Sequence, residues 1–356
     1  MSGNLIFMAG PRALAMIRDG GLTPDQVDVM AGAAGGPKWL VLSHLDRAIF
    51  GSWLKERRPR PLPLVGASIG SWRFAAVSQA DPLAAISSFE AEYIHQAYTP
   101  RPTPVEITAE SMRIQEAYVP DAALDRVINH PCHRLHFLVV RCRGPLAFEG
   151  KLIQVIGLGV AAGLNMITRR SQRLLFQRTV FHDPRQAGSL IIPNGFPTRL
   201  VPLTKSNFRQ ALMASGSIPM VMARVRDIPG APTGTYRDGG ILDYHLDLAY
   251  NLNSGLVLYP HFSNRITPGW FDKKLTWRLP RYLDRTLVVA PSPDFIQSLP
   301  LGKIPDRDDF QLFLGRDRER IAYWKQVVQA CAYLGREFLD VAGSGRIRRV
   351  VRPLLE

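Results

Sequence analysis

Two consecutive units, each a short apolar run followed by a glycine-rich turn and a helical pattern, constrain the fold of this chain most. Residues 27–30 are largely apolar, residues 31–36 are small, and residues 37–50 carry apolar side chains at helical spacing. Residues 64–65 begin the second unit, which continues through another glycine turn into an apolar helix over 72–78. Strand and helix repeated in this order form parallel strands with right-handed crossovers. The pattern predicts an α/β fold.

Later segments continue this alternation without a linker long or polar enough to mark a clear domain boundary. The sequence predicts helices over residues 82–97, 105–117, 207–215 and 308–341, with Ser206 or Asn207 at the start of the third. It predicts further strands over residues 135–141, 172–181, 200–201, 255–259 and 285–290. We therefore expect a mainly parallel central sheet flanked by helices in residues 1–300. A mostly helical C-terminal extension, residues 301–356, is expected to pack on it.

One segment carries no charge at all. Residues 152–167 lie between Lys151 and the pair Arg169 and Arg170, and are somewhat short for a membrane span, which needs about 20 apolar residues. The favoured interpretation is a helix buried in the core. The alternative is a flap or a lipid-facing surface beside an active site.

The formal net charge of +14 calls for a physical reason, and nucleic acid and anionic membrane are the usual partners of such a charge. The arginine clusters are not interleaved with aromatic residues, and no nucleic-acid-binding motif is found, so we expect no nucleic-acid partner. Peripheral contact with an anionic membrane and a merely basic surface stay open as alternatives. Three cysteines and no predicted signal peptide favour a cytoplasmic protein.

The second glycine turn has a pattern that suits a nucleophile. Gly66, Ser68 and Gly70 match G-x-S-x-G, in which a serine sits on a sharp turn between a strand and a helix. Glycines two residues to either side remove collisions that larger side chains would make. The alternative is an ordinary turn between a strand and a helix.

The first glycine turn could stabilise a negative charge. Ala34, Gly35 and Gly36 precede a helix that Pro37 opens, and their backbone N–H groups could form an oxyanion hole or a phosphate nest. Lys38 adds positive charge. Nucleotide binding is a rival interpretation, but the segment matches neither of the two common nucleotide-binding glycine patterns.

Asp238, Gly239 and Gly240 follow a predicted polar turn at residues 233–236 and allow a tight approach of another segment. This tripeptide is either a hairpin turn or carries the base that accepts the serine proton. A histidine base is formally possible, but His245 is only seven residues after Asp238, whereas the usual triad places these two on separate loops. A serine–aspartate dyad fits better. The histidines at 130, 133 and 136 match no metal site.

Together these motifs resemble the patatin-like phospholipase family, and residues 214–219, Ala-Ser-Gly-Ser-Ile-Pro, look like a further segment of that family. The resemblance covers roughly residues 27–243. Two departures are Ala34 and Trp39, which stand where the family has glycine, and Trp39 puts a bulky side chain where close packing or substrate approach is usual.

The resemblance implies a role for each motif. Ser68 would be the nucleophile and Asp238 its base, with oxyanion or substrate contacts from Ala34, Gly35, Gly36, Lys38 and Ile69 and supporting glycines at Gly66, Gly70, Gly239 and Gly240. No metal or cofactor is expected. The substrate would be a phospholipid or another acyl-ester lipid. An esterase or acyltransferase acting on soluble esters, and a non-catalytic basic protein that binds an anion or lipid, are the alternatives.

Overall fold

A single mixed sheet forms the centre of the protein. The computed structural model describes residues 3–55, 60–186 and 188–354. Within these ranges eleven strands share the sheet: β1 (Leu5–Ala9), β2 (Val27–Gly32), β3 (Leu62–Ala67), β4 (His133–Cys142), β5 (Phe176–His182), β6 (Thr198–Pro202), β7 (Val225–Arg226), β8 (Thr235–Asp238), β9 (Leu256–Pro260), β10 (Thr286–Pro291) and β11 (Arg352–Pro353).

The strand order is β11-β1-β10-β9-β2-β3-β4-β5-β6, with β8 paired to β4 and β7 paired to β8. The five central strands from β10 to β4 run parallel to one another, while β1 pairs antiparallel with β10, and β5 and β8 pair antiparallel with β4. Every residue of β2, β3, β9 and β10 is buried, as expected for parallel strands covered on both faces. The predicted α/β class with a mainly parallel central sheet is confirmed.

Thirteen α-helices lie in the described ranges. They are α1 (Pro11–Gly20), α2 (Ser43–Ala48), α3 (Ile69–Val77), α4 (Pro82–His95), α5 (Pro104–Tyr118), α6 (Asp121–Ile128), α7 (Lys151–Ile167), α8 (Phe208–Gly216), α9 (Pro293–Ser298), α10 (Asp309–Leu312), α11 (Asp317–Ala330), α12 (Ala332–Gly343) and α13 (Ile347–Val350).

Most of the predicted elements are present. The strand expected over 172–181 begins only at Phe176, after a 3-10 helix over Arg169–Leu174, and three further predictions need correction. The helix expected over 37–50 exists, but it begins as a 3-10 helix over Gly36–Leu42 and ends in a π-helical turn over Ile49–Trp53. The polar turn expected at 233–236 is wrong in its second half, because β8 starts at Thr235. Asn207 precedes α8, but its side chain does not cap that helix and instead bonds to the backbone of Pro202, Thr204 and Pro229.

The core-helix interpretation of residues 152–167 is also wrong. The segment forms α7, but most of its large apolar side chains point outward, and Leu152 and Ile167 are 72% and 81% exposed. None of the helices in the described ranges combines the length and the apolar character that crossing a bilayer requires.

The C-terminal part contributes to both the sheet and the helical layers. Strand β11 pairs with β1, and Gly335 of α12 lies so close to α2 that a Cβ atom there would be 2.5 Å from the carbonyl oxygen of His44. The division at residue 300 stays a prediction.

The register of β4 brings two distant segments together. Ala67, the last residue of β3, pairs with Leu138 of β4, and Asp238, the last residue of β8, pairs with Val139. Because β3 ends at Ala67, the chain leaves the sheet there and β8 takes the next place along β4. The serine turn and the aspartate are therefore adjacent.

Candidate active site

Ser68 occupies a sharp turn between β3 and α3. Its backbone φ and ψ angles are 54° and −128°, a conformation that non-glycine residues rarely adopt and that marks local strain. A Cβ atom at position 66 would lie 2.5 Å from the Ser71 nitrogen, and one at position 70 would lie 1.9 Å from the Gly32 oxygen. Gly66 is therefore needed for the steric reason expected from the sequence, a collision within the turn, whereas Gly70 is needed because α3 approaches the end of β2 closely.

Ser215 ties the turn to the neighbouring strand. The Ser68 backbone N–H donates a 3.0 Å hydrogen bond to Ser215 Oγ, which in turn donates to the carbonyl oxygen of Leu138 at 2.9 Å. Because that bond uses the only hydroxyl proton of Ser215, the 2.8 Å contact with Ser71 Oγ has Ser71 as donor. Sequence reasoning noted the segment 214–219 but assigned no role to Ser215.

The Ser68 and Asp238 side chains are hydrogen-bonded. Ser68 Oγ donates to Asp238 Oδ2 at 2.7 Å, and the Gly240 backbone N–H donates to Asp238 Oδ1 at 2.7 Å. Both carboxylate oxygens are thus engaged in a buried site. Burial raises the pKa of Asp238, and the Ser68 hydrogen bond, the Arg307 charge and the Gly240 N–H oppose that rise.

The two glycines after Asp238 permit close packing on both sides. A Cβ atom on Gly239 would be 2.1 Å from the Leu138 carbonyl oxygen. One on Gly240 would be 2.7 Å from the Ala34 Cβ atom. The tripeptide therefore brings the aspartate against both β4 and the first glycine turn, and it is not the tip of a hairpin.

Neither late histidine belongs to this hydrogen-bond network. His245 Nδ1 accepts a hydrogen bond from the Thr267 backbone N–H at 2.9 Å, and His261 Nδ1 contacts the Ser263 backbone. Burial lowers the pKa of His261 to about 3 and holds the pKa of His245 well below its usual value. In the described ranges, Ser68 Oγ hydrogen-bonds to an aspartate and not to a histidine.

The first glycine turn faces the same serine. The Ala34 N–H donates to the Tyr244 carbonyl oxygen at 3.0 Å, so this amide is already engaged. The N–H groups of Gly35 and Gly36 have no backbone acceptor within residues 3–55, 60–186 and 188–354. Gly36 has a φ angle of +57°, in the left-handed region that favours glycine. Gly35 and Gly36 are the free donors, whereas Ala34 lines a cavity wall.

Two cavities meet at Ser68. One has a volume of about 330 Å³ and mostly apolar walls, which include Ile69, Trp72, Ile107, Ile114, Val221 and Phe310. The other has a volume of about 310 Å³ and more polar walls, which include Gly35, Lys38, Asp238, Tyr244, Lys273 and Arg307. A ligand bound at Ser68 would therefore contact an apolar cavity on one side and a polar cavity on the other.

Three cations border the polar cavity. In the part of the chain that the structure describes, Lys38, Lys273 and Arg307 form no ion pair within 4 Å. Burial lowers the pKa of Lys38. Burial and the charges of Arg307 and Lys38 lower the pKa of Lys273 to about 8. Asp306 and Asp308 also line this cavity, but Asp306 is paired with Lys303 at 3.0 Å.

Sequence reasoning found Lys38 but missed Lys273 and Arg307. These two residues come from loops far along the chain, outside every motif, and only the packing of those loops against the sheet brings them to the cavity. Arg307 lies against the first glycine turn, because a Cβ atom on Gly36 would be 3.0 Å from its Nε atom.

Trp39 does not obstruct the site. Its ring is 1% exposed, stacks on Phe89 with centroids 4.3 Å apart, and meets the edge of Tyr93 at 5.7 Å. Trp39 lines neither cavity at Ser68. It packs in the aromatic core behind the glycine turn.

No known family model matches this chain, and no curated protein matches it significantly. The resemblance to patatin-like phospholipases therefore rests on the sequence motifs alone and stays a prediction. Within the described residues, no cluster of three or more histidine, cysteine or acidic side chains could hold a metal ion.

Proposed function

We propose that this protein is a serine acyl-ester hydrolase of the patatin-like type, with Ser68 as nucleophile and Asp238 as base. The observation that carries the proposal is the 2.7 Å hydrogen bond from Ser68 Oγ to Asp238 Oδ2 at a strained strand-to-helix turn. This distance lies within the range of about 2.6–3.2 Å over which a base can accept a proton.

The proposed reaction has two steps. Asp238 accepts the Ser68 proton while Oγ attacks the ester carbonyl, and the carbonyl oxygen becomes an oxyanion that the N–H groups of Gly35 and Gly36 stabilise. When the ester C–O bond breaks, the proton on Asp238 passes to the leaving alcohol. Asp238 then takes a proton from a water molecule, which attacks the acyl-serine carbonyl. When the bond between Ser68 Oγ and the acyl carbon breaks, the proton returns from Asp238 to Ser68 Oγ and the fatty acid is released.

The chemical environment of Asp238 supports its role as a base. Burial raises its pKa, which makes the carboxylate a better proton acceptor than an exposed one. The bond from the Gly240 N–H holds the other carboxylate oxygen, so Oδ2 stays directed at Ser68.

The two cavities support a substrate with unlike ends. The apolar cavity suits a fatty-acyl chain. The polar cavity, with Lys38, Lys273 and Arg307, suits an anionic leaving group such as a phosphorylated alcohol. A phospholipid combines both features, and we propose this class as substrate over neutral, soluble esters.

Covalent labelling by a fluorophosphonate probe tests the proposed nucleophile. We expect the native chain to be labelled and Ser68→Ala to lose all labelling, while Asp238→Asn reduces its rate. Ser206→Ala, which removes an exposed serine before α8, is the matched control and should be labelled normally. Labelling that persists in Ser68→Ala would overturn the proposal, and a chain that is never labelled would favour a non-catalytic binding protein.

A further inference from the structure

Helix α7 is packed with its polar and small residues inward. The buried residues Gln154, Gly157, Ala161 and Asn165 form one stripe at helical spacing. The outward face holds large apolar side chains, which are Leu152, Ile153, Val155, Ile156, Val160, Met166 and Ile167. This is the reverse of an ordinary surface helix, whose apolar stripe faces the core.

Hydrogen bonds fix this orientation. Gln154 Nε2 donates to the Glu149 carbonyl oxygen at 3.0 Å, and Gln154 Oε1 accepts from the Met220 N–H at 3.3 Å. Asn165 Nδ2 donates to Asp272 Oδ1 at 2.7 Å. Rotating the helix to hide its apolar side chains would leave these buried groups without partners, at a substantial energetic cost. The apolar face is therefore exposed because the inner face is specifically bonded.

A neighbouring loop extends the exposed apolar area. Ile167 at the end of α7 shares a cleft of about 600 Å³ with Trp277, Leu279 and Tyr282, whose side chains are also exposed. The carboxylate of Asp247 accepts the backbone N–H groups at positions 281 and 282, each at 2.8 Å, and holds the loop in place. We call the outward face of α7 together with Trp277, Leu279 and Tyr282 the outer apolar surface.

The two chain segments that carry the outer apolar surface have only basic charges. Residues 150–182 and residues 273–283 contain no aspartate or glutamate. The exposed cations of these segments include Lys151, Arg170, Arg173 and Arg281. Glu149 precedes the first range, but its carboxylate is 3.5 Å from Arg224. Apolar side chains with tryptophan, tyrosine and basic residues at the edge match the interface of an anionic bilayer.

The inner face of α7 contacts the walls of the proposed active site. Met220, bonded to Gln154, directly follows Ile218 and Pro219, which line the cavities at Ser68. Asp272, bonded to Asn165, lies between Trp270 and Lys273 of the polar cavity. A layer bound to the outer face would therefore lie beside the cavities.

We propose that the outer apolar surface docks on an anionic lipid bilayer, with α7 lying along the interface and its apolar side chains inserted among the acyl chains. The helix is about 25 Å long, which suits a position in the plane of the interface. The proposal rests on the proposed acyl-ester hydrolysis, because docking would bring lipid substrate to the cavities that meet at Ser68.

Vesicle co-sedimentation tests the docking, in a Ser68→Ala background so that the lipid stays intact. The vesicles contain equal parts of phosphatidylcholine and phosphatidylglycerol. The variant Val155→Gln/Ile156→Gln/Val160→Gln keeps the helix length and charge, and glutamine is a good helix former. We expect its partition coefficient to fall at least about tenfold, because three apolar side chains no longer insert. Tyr333→Gln, at an exposed site on α12, is the matched control and should bind within about twofold of its parent.

A second arm tests the charge and the identity of the occupant. Arg170→Gln/Arg173→Gln should weaken binding to the anionic vesicles, and added salt should do the same. Vesicle binding that is unchanged both in the triple α7 variant and in Arg170→Gln/Arg173→Gln would overturn the proposal. So would sedimentation velocity that shows a dimer for the parent chain and a monomer for the α7 variant, because a second copy would then cover the surface.

Hydrolysis of a short-chain nitrophenyl ester in solution separates this inference from the proposed function. The α7 variant, with Ser68 intact, should hydrolyse that ester at the parent rate, since it changes only exposed side chains. A parent chain that binds vesicles through α7 but cleaves no ester would refute the hydrolase and leave the docking surface standing. If the parent chain cleaves the ester and the α7 variant binds vesicles as well as the parent does, the docking surface is refuted and the proposed hydrolase stands.

Discussion

Ser68 Oγ and Asp238 Oδ2 lie 2.7 Å apart although 170 positions separate the two residues in the chain. Strand β4 explains this contact, because the strands that carry the two residues pair with consecutive positions on one of its edges, Leu138 and Val139. The contact thus depends on the register in which β3 and β8 pair with β4.

Asp238→Asn should inactivate the protein without unfolding it. The amide keeps the shape of the side chain but cannot accept the serine proton, and loss of a general base typically costs about 10²–10⁴-fold in rate. We expect that loss in kcat/KM for a nitrophenyl ester. Activity within about twofold of the parent would show that Asp238 is not the base.

The same substitution should increase stability at neutral pH. Burial raises the pKa of Asp238 above its usual value of 3.8, so the native state holds this proton more tightly than the unfolded state does. The contribution of Asp238 to stability therefore falls as the pH rises from about 3.8 through the raised pKa. The melting temperatures of the parent and of Asp238→Asn should diverge over that pH interval, and at pH 7 the variant should have the higher melting temperature. Equal melting temperatures across the whole interval would contradict this expectation.

Lys273 should make the binding of an anionic substrate sensitive to alkaline pH. Its pKa is lowered to about 8, so the ammonium group loses its charge as the pH rises through that value. We expect KM for an anionic acyl ester to rise over this interval, and KM for a neutral ester to stay constant. Lys273→Arg, which remains charged, should remove the pH dependence while keeping KM low. An unchanged KM in Lys273→Met would place the anionic group elsewhere.

Ser215→Ala should loosen the serine turn. The substitution removes the acceptor of the buried Ser68 N–H and the donor to the Leu138 carbonyl oxygen. We expect a loss of about 1–3 kcal/mol in the free energy of unfolding, measured by urea denaturation. The rate of ester cleavage should fall about tenfold to a hundredfold, because misplacement of the nucleophile is costly. The exposed Ser206→Ala control should change neither quantity.

Two glycine-to-alanine substitutions in helices should change the free energy of unfolding in opposite directions. At position 70 the new Cβ atom would lie 1.9 Å from the Gly32 oxygen, and we expect a loss of about 3 kcal/mol or more. At position 163 on α7 the new Cβ atom would meet nothing within 4 Å beyond the neighbouring backbone of its own helix, and reduced freedom of the unfolded chain should add about 0.4–1 kcal/mol. Urea denaturation of both variants measures the difference, and a similar cost at both positions would contradict the packing described here.

Local features of the site could be predicted because they depend on residues close in sequence. The turn at Ser68 requires glycine at position 66 for a steric reason that acts over five residues, whereas Gly70 is required by the close approach of Gly32 on the neighbouring strand. In the described ranges the amides of Gly35 and Gly36 have no backbone acceptor, which likewise follows from a glycine turn that precedes a helix. The order of these motifs also favoured Asp238 over a histidine as the base, which stays a prediction until the variants are measured.

Other features followed no local pattern. Residues 152–167 are uncharged on every side, so their periodicity could not indicate which face is buried, and the hydrogen bonds of Gln154 and Asn165 decide it. Lys273 and Arg307 lie in loops far along the chain, where they contact Tyr244 and Gly36 respectively, and no local pattern indicates these contacts.

The sequence by itself determined the parallel α/β core, the strained serine turn and the glycine turn that faces it, because backbone sterics and apolar patterning act over short distances. Only the tertiary structure decided that β8 continues the edge of β4 beyond β3, that three cations converge on one cavity, and that α7 presents its apolar face outward. These features depend on strand register and on hydrogen bonds between distant segments, and both form only when the chain is folded.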